Sequence, residues 1–321
     1  ALAPLTDKIT YLEEGDFAVV TRTTTEIYDE NGALADRETR RIAIDAQRVD
    51  KGGYKHFMAK EIAEQPSVLK TTLSHYQNAD ASELELPEHE IDLAQIDRLT
   101  MVACGTAFYA ALTAKYWFEK IARLPVDVDV ASEFRYREPP VNPGTCALFV
   151  SQSGETADTL AALRYMASQD ATILSVVNVP ERSIARESDL VLPLHAGVEI
   201  GVASTKAFTA QLTVLAVLAI KIAYAKGAID AAQYRAHIAE LNRLPGLISQ
   251  ALGIDGVVQD ISKKLATARD IIFLGRGALY PLAMEGALKL KEISYIHAEG
   301  YPSGELKHGP IALIDKNVPV V

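Results

Sequence analysis

Apolar, strand-like runs alternate with longer helical patterns through the middle of the chain, and this alternation constrains the fold more than any other feature. The runs lie at 99–104, 126–130, 147–150, 172–177 and 190–194. The helical patterns lie at about 107–121, 157–168 and 204–226. Buried strands separated by helices are typical of a parallel sheet that is covered on both faces. The sequence therefore predicts an α/β fold built on a doubly wound parallel sheet.

The same unit starts again further along the chain. Residues 270–277 repeat the form of residues 100–106, and residues 304–308 later parallel residues 132–136. Such a repeat predicts a second domain that duplicates the first. Within this sequence the duplicate ends after about its second strand, so we expect a truncated second sheet with exposed apolar edges.

The N-terminal part differs from both copies. Three short β-forming runs separated by turn residues precede residue 30. Hairpins of this size cannot form a core alone, so we expect them to pack on another part of the protein. The polar residues 33–52 predict a linker. A helix is then predicted over 54–65, ended by Pro66 and followed by another helix.

The charge balance excludes some classes of function. The 321 residues include 32 Lys and Arg against 42 Asp and Glu, which gives a net charge of −10. This acidity argues against non-specific nucleic-acid binding and against binding to an anionic membrane surface. Cys104 and Cys146 form neither a disulfide framework nor a metal motif, and we expect a reducing cytoplasm. The apolar run 212–222 is too short to span a bilayer, and the sequence ends inside a strand-like run, so we expect a piece of a longer chain.

A polar loop, residues 151–156, joins a predicted buried strand to a predicted helix. Such a junction presents free backbone N–H groups and the positive end of a helix dipole, which stabilise a phosphate. Ser151, Ser153 and Thr156 can each donate an O–H, and Gly154 lets the backbone come close. The alternative is an ordinary polar turn with Thr156 as the N-cap.

Two further loops are candidates for the same site. Gly105 and Thr106 follow the first strand, and ligands of parallel sheets lie beyond the carboxyl ends of the strands. The stretch 197–206 combines small residues with hydroxyls before the long helix. Its backbone carbonyls and Ser204 could meet sugar hydroxyls. Alternatively, Ser204 is only the N-cap of that helix.

The second copy carries charged residues that the first lacks. Glu285, Lys289 and Glu292 are spaced i, i+4, i+7 and therefore share one helix face. They predict either an exposed ladder of ion pairs or, given the apolar neighbours, a partly buried carboxylate beside a cation that can move a proton. His308 lies in a Gly-Pro loop, where histidine is usually just solvated but can exchange protons near neutral pH.

Several stretches together resemble the isomerase half of the glutamine–fructose-6-phosphate aminotransferase family. They are SQSGETADTL at 151–160, EIGVASTKAF at 199–208, EGALKLKEISYIHAE at 285–299 and GELKHGP at 304–310. The resemblance covers nearly the whole chain. It implies a tandem of flavodoxin-like sugar isomerase (SIS) domains at 45–228 and 229–321, the second truncated, preceded by the end of a glutaminase domain and a linker at 1–44.

The resemblance also implies a site for fructose 6-phosphate and its product glucosamine 6-phosphate. The positions that match the phosphate loops are Thr106, Ser151, Gln152, Ser153 and Thr156. Val202 and Ser204 match contacts to sugar hydroxyls. Ala107 stands where the family often has serine, so one phosphate hydroxyl is missing.

The family's proton chemistry maps onto the second copy. Glu292 matches the base that moves a proton between C1 and C2, Lys289 matches the lysine beside it, and His308 matches the histidine of ring opening. The family supplies that histidine from a neighbouring subunit, which implies a homodimer. No metal or organic cofactor is implied. The glutaminase nucleophile and the tail lysine that forms a Schiff base are not in this sequence, so we do not expect this piece alone to complete the reaction.

Two other functions remain open from the sequence. One is a stand-alone deaminase or isomerase of amino-sugar phosphates, which would not carry the end of a glutaminase domain. The other is a non-catalytic regulator that binds a sugar phosphate, which would need the phosphate loop but not Glu292, Lys289 and His308.

Overall fold

The structure is a computed structural model that describes residue 6 and residues 8–13, 15–41, 50–142 and 144–321. The chain divides into two units, Ala1–Gly52 and Gly53–Val321. Within the described residues, the helices belong to the second unit.

The first unit consists of short antiparallel pairs. Its strands are β1 (Lys8–Thr10), β2 (Phe17–Val20), β3 (Thr25–Tyr28) and β4 (Thr39–Arg41). Strand β1 pairs with β4, and β2 pairs with β3. The prediction of a linker over 33–52 is therefore wrong for residues 39–41, because their backbone pairs with β1; residues 42–49 of that range lie outside the described part.

The second unit begins with helix α1 (Phe57–Ser74), which runs through Pro66. The prediction that Pro66 ends the helix is wrong. Proline cannot donate to the carbonyl of Ile62, but the side-chain amide of Gln65 donates to that carbonyl at 3.0 Å. Beyond the proline, Val68 and Leu69 are buried, so tertiary packing compensates for the lost backbone bond.

A parallel sheet of five strands forms the centre of this unit. In chain order its elements are β5 (Arg98–Ala103), α2 (Gly105–Lys120), β6 (Val126–Val130), α3 (Ala131–Arg137), β7 (Thr145–Ser151), α4 (Ala157–Ser168), β8 (Thr172–Val177), α5 (Ser183–Arg186), β9 (Leu190–Pro193) and α6 (Lys206–Ala225). The spatial order is β6-β5-β7-β8-β9, which is the flavodoxin-like order 2-1-3-4-5. The α/β fold predicted from the sequence is confirmed.

Alternate residues of the central strands enter two different cores. In β7, Leu148 packs in the cluster with α2 and α6, whereas Phe149 packs in the cluster with α3 and α4. Both side chains are fully buried. This alternation is what a sheet covered on both faces requires, and it explains why β7 is continuously apolar.

Helix α6 is the most apolar helix of the described chain. By length and composition Lys206–Ala225 could cross a membrane, but 67% of its most apolar window is buried within the protein. It packs against α1 and α2 over one face of the sheet. Its apolar sequence is therefore explained by its place in the core.

Helices α7 (Ala231–Leu252) and α8 (Asp255–Leu265) lead to the second copy. It contains β10 (Asp270–Gly275), α9 (Leu279–Ser294) and β11 (His297–Pro302), with β11 parallel to β10. Ile272 of β10 also forms a parallel bridge with Val320. The strand–helix–strand form of the first copy thus recurs, as the internal repeat predicted.

Candidate functional site

The loop after β7 has the backbone geometry of a tight ligand-binding turn. Gly154 has φ +70°, and a Cβ there would lie 2.8 Å from the Cβ of Arg182, so the position needs glycine. The Gly154 N–H donates to Ser151 Oγ at 3.1 Å, and the Glu155 N–H donates to Ser153 Oγ at 3.2 Å. Both hydroxyls accept from the turn itself, and neither proton is used in those two bonds.

Thr156 occupies the N-cap position of α4, but its side chain forms no capping bond. Its Oγ1 lies 3.0 Å from Ser151 Oγ instead. The alternative interpretation, in which Thr156 serves only to cap the helix, is therefore not what the side chain does. The first-turn N–H groups of α4 have no acceptor within the helix, and they face the same loop.

These loop residues line a cavity of about 200 Å³ at the carboxyl ends of β5 and β7. That edge is the topological switch point of the sheet, where ligands of this fold class bind. The lining residues are Cys104, Thr106, Ala107, Val150, Ser151, Gln152, Ser153, Thr156, Ser204 and Gln211. All of the predicted phosphate-loop residues are among them, together with Ser204. The lining carries no charged side chain, so it is a cradle of neutral donors beside the N-termini of α2 and α4.

Ser204 is not the N-cap of α6. The helix begins at Lys206, and Thr205 occupies the N-cap position without a side-chain capping bond. The carboxylate of Glu199 takes that role, because it accepts from the N–H groups of Thr205 and Ala207 at 2.8 and 3.2 Å. The Ser204 hydroxyl donates to the same carboxylate at 3.0 Å. Glu199 thus fixes the hydroxyl that faces the cavity while it neutralises the start of the helix.

A second buried carboxylate holds the loop that carries Ser204. Glu61 of α1 is 2% exposed and accepts from the N–H groups of Ile200 and Gly201 at 2.6 and 3.0 Å. The sequence analysis missed this residue. The signal available was weak, since a glutamate in an amphipathic helix is usually solvated, and only the long-range fold brings it to the 197–206 loop.

The charged residues of α9 form one connected cluster with the cavity. Lys289 Nζ lies 2.6 Å from Glu292 Oε2 and 3.5 Å from Glu285 Oε1. The Thr106 hydroxyl donates to Glu285 Oε1 at 3.0 Å and accepts from Lys289 Nζ at 3.0 Å. Thr106 also lines the cavity, so the phosphate loops and the carboxylates of the second copy meet at one residue.

The two carboxylates of this cluster differ in environment. Glu285 is buried, and burial raises its pKa to about 7, although Lys289 and the Thr106 hydroxyl act in the opposite direction. Its Oε2 has no hydrogen-bond partner within the described residues. The Glu292 side chain is 32% exposed and can reach a ligand. The cluster is therefore not the exposed ladder of ion pairs that the spacing alone allowed, and Glu285 is the buried carboxylate that the apolar neighbours indicated.

Two predicted residues do not join this group. Val202 is fully exposed and does not line the cavity. His308 is exposed and follows the single helical turn Glu305–Lys307. Their assigned contacts stay predictions. Gln211, in contrast, lines the cavity and was missed, although a polar residue within an apolar helical run was visible in the sequence.

The described residues include no group of three His, Cys, Asp or Glu side chains arranged to hold a metal ion. The cavity lining offers hydroxyls, amides and helix N-termini, and one lysine and two carboxylates lie beside it at Thr106. Such a set can bind a phosphate through neutral donors and move a proton at a carbon held beside Glu292.

Comparison with known proteins agrees with this geometry. The SIS domain family model matches residues 92–221 and 264–321. Curated relatives named glutamine–fructose-6-phosphate aminotransferase [isomerizing] are 56% identical in Bradyrhizobium diazoefficiens and 55% identical in Brucella abortus, each over 100% of this chain and 53% of the relative. The chain thus spans about half the length of the curated relatives it matches.

Comparison with solved structures indicates the same family. The C-terminal domain of glucosamine-fructose-6-phosphate aminotransferase from Francisella tularensis is 48% identical with a TM-score of 0.82, covering 84% of this chain and 76% of that chain. A glucosamine-6-phosphate deaminase from Thermotoga maritima is 26% identical with a TM-score of 0.62, covering 83% of this chain and 76% of that chain. The chain therefore belongs to the SIS domain family, in the branch that forms the C-terminal part of the glutamine–fructose-6-phosphate aminotransferases.

Proposed function

We propose that the protein converts fructose 6-phosphate to glucosamine 6-phosphate with ammonia from glutamine, and that this chain supplies the sugar-phosphate site and the isomerase chemistry. The observation that carries the proposal is the double role of Thr106. Its side chain lines the phosphate cavity and bonds both Glu285 and Lys289. A site that only bound a sugar phosphate would not need a carboxylate–lysine cluster beside its phosphate loop.

In this proposal the cavity holds the unreactive end of the sugar. The hydroxyls of Ser151, Ser153 and Thr156 and the N–H groups at the start of α4 donate to the phosphate oxygens. No side-chain cation lines the cavity, so binding relies on directed donors and helix dipoles, which favour the dianion without charge pairing. Anchoring the phosphate there leaves C1 and C2 of the open-chain sugar to reach the end of α9.

The proton transfer is assigned to Glu292. Once ammonia has condensed with the C2 carbonyl, with loss of water, to give a protonated imine, Glu292 removes a proton from C1, and the C=N electron pair moves onto nitrogen to give an enolamine. Glu292 then returns the proton to C2, and the C1 hydroxyl loses its proton to solvent. The product then carries an aldehyde at C1 and an amine at C2. Lys289, 2.6 Å from Glu292 Oε2, holds the carboxylate in position for both steps.

Further roles are assigned to His308, to Val202 and to the segments of the chain. We assign His308 to ring opening in a homodimer, where it would act at the partner's cavity, because it lies in an exposed loop and does not line the cavity of its own chain. Val202 is assigned to a sugar hydroxyl through its backbone. Residues 1–44 are assigned to the end of a glutaminase domain and its linker, 45–228 and 229–321 to the two SIS domains, and the protein to the cytoplasm.

The direct test is an assay of the full-length protein for glucosamine 6-phosphate formed from fructose 6-phosphate. We expect product with glutamine and also with ammonium salts in place of glutamine. Deamination of glucosamine 6-phosphate without synthesis would favour a deaminase instead, and binding without turnover under either nitrogen source would favour a regulator.

Ser153→Ala tests the phosphate assignment. Removal of this hydroxyl is expected to weaken binding of fructose 6-phosphate by about tenfold, since a hydrogen bond to a charged oxygen is lost, and to leave the binding of unphosphorylated fructose unchanged. Calorimetry with both ligands measures the two affinities. Ser168→Ala, at the other end of α4, serves as the control, because it removes an exposed hydroxyl that bonds only Tyr165 O and the side chain of Gln169 among the described residues. Equal losses for both sugars would contradict the assignment.

A further inference from the structure

Gln211 lines the cavity and carries a buried side-chain oxygen without a hydrogen-bond partner among the described residues. It lies in the second turn of α6, is 1% exposed and lines the cavity with Ser151 and Ser204. Its Oε1 is buried and has no hydrogen-bond partner within the described part of the chain. The hydroxyls of Ser151, Ser153 and Thr156 in the same lining already have partners within their turn.

An orphaned amide oxygen is costly in a helix of this kind. The helix residues nearby, Phe208, Val214 and Leu215, are buried and apolar. Buried acceptors in native proteins are nearly always paired, and an unpaired one is expected where a ligand supplies the missing donor. An apolar side chain of the same size would fill the position at lower cost, so packing alone does not account for glutamine here.

The missing partner is a donor, and this selects among the groups of a sugar phosphate. Phosphate oxygens near neutral pH are mainly acceptors, whereas every sugar hydroxyl can donate. The hydroxyls of Ser151, Ser153 and Thr156 supply donors, which suits the phosphate. Gln211 supplies an acceptor in the lining of the same cavity, which suits a hydroxyl.

Resting on the proposed function, we propose that Gln211 accepts a hydrogen bond from one hydroxyl of the bound sugar phosphate and thereby selects for sugars that carry it. A buried polar group built to bond a hydroxyl discriminates strongly against a ligand that lacks it, because the group is then left unpaired. Gln211 is thus a specificity-determining contact rather than part of the phosphate cradle.

The test compares ligands as well as variants. The ligands are fructose 6-phosphate and its monodeoxy analogues, each of which lacks one hydroxyl. The full-length wild-type protein is expected to bind the analogue that lacks the hydroxyl bonded to Gln211 about tenfold more weakly than the parent sugar. Gln211→Met is expected to weaken the parent by about tenfold, to leave that analogue unchanged, and to leave inorganic phosphate unchanged. Calorimetry or thermal-shift titration gives the three affinities.

Thr213→Val, in the same helix, is the matched control. Thr213 is buried, its hydroxyl bonds Thr209 O, and it faces an apolar groove rather than the cavity. It is expected to change no ligand affinity. Equal losses for sugar phosphate and inorganic phosphate in Gln211→Met would mean that the amide serves the phosphate and would overturn the proposal.

The comparison of ligands on the wild-type protein tests the proposal even if Gln211→Met does not fold. Wild-type protein that binds every monodeoxy analogue as tightly as the parent would overturn the role of Gln211. If the wild type binds another sugar 6-phosphate but not fructose 6-phosphate, the proposed function fails, and the same deoxy series on the sugar that does bind decides the role of Gln211.

Discussion

Glu292→Gln is expected to lower the turnover of fructose 6-phosphate by at least about a hundredfold and to leave the affinity for this substrate near normal. Glutamine has the shape of glutamate but cannot accept the C1 proton, so the loss falls on the chemical step. The phosphate cavity does not include residue 292, which is why affinity is spared. Steady-state rates with ammonia as nitrogen donor, together with calorimetric binding of the substrate, separate the two effects.

A surface carboxylate outside the site provides the control. Glu119 of α2 pairs with Lys115 at 3.6 Å on the surface, one helical turn away, much as Glu292 pairs with Lys289. Glu119→Gln is expected to leave turnover and binding unchanged. Near-wild-type turnover in Glu292→Gln would remove the proton transfer from Glu292, and parallel losses of turnover and affinity would make it a binding residue instead.

The sheet could be predicted from the sequence because the residues of each strand indicate whether that strand is buried on one face or on both. Runs such as Leu148-Phe149-Val150 are apolar on both faces, and only a doubly covered parallel sheet buries both. The helix after β7 begins and ends at the predicted residues. These features depend on residues close together in the chain.

One wrong prediction and one rejected alternative have the same physical origin, a side-chain partner outside the local rule that was applied. Pro66 breaks a local helical rule, but burial of the following turn and the amide of Gln65 compensate for it. Ser204 fits a local capping pattern, but Glu199 competes for the same N–H groups with a full charge. In each case a partner that local sequence patterns do not identify decides the outcome.

In the candidate site, too, features set by neighbouring residues could be predicted, and features set by the packing of separate helices could not. The phosphate loop was recognisable because all of its donors lie within six consecutive residues, Ser151 to Thr156. The burial of Glu285 and the roles of Gln211 and Glu61 depend on how three separate helices pack at one edge of the sheet, which no single stretch of sequence specifies. Spacing placed Glu285 and Lys289 on one face, but only Thr106, from the first copy, connects them to the cavity.

The burial of Glu285 has a consequence for stability that a single substitution can measure. Burial raises its folded-state pKa from 4.5 to about 7, so the folded protein holds a proton there that the unfolded chain has lost. Stability is therefore complete below about pH 4.5 and falls as the pH rises through 7, because ionisation in the folded state carries the desolvation cost. The shift corresponds to a loss of up to about 3 kcal/mol.

Glu285→Gln is expected to remove this loss, because glutamine keeps the shape and an acceptor for Thr106 but does not titrate. Relative to wild type, its free energy of unfolding is expected to rise by up to about 3 kcal/mol between pH 4.5 and about pH 8. Urea unfolding at both pH values measures the difference.

Glu240→Gln, which removes an exposed carboxylate paired with Arg243, is the control. Its free energy of unfolding is expected to change with pH as that of wild type does. A constant offset between Glu285→Gln and wild type at both pH values would mean that folding does not shift the pKa of Glu285, because Lys289 offsets its burial.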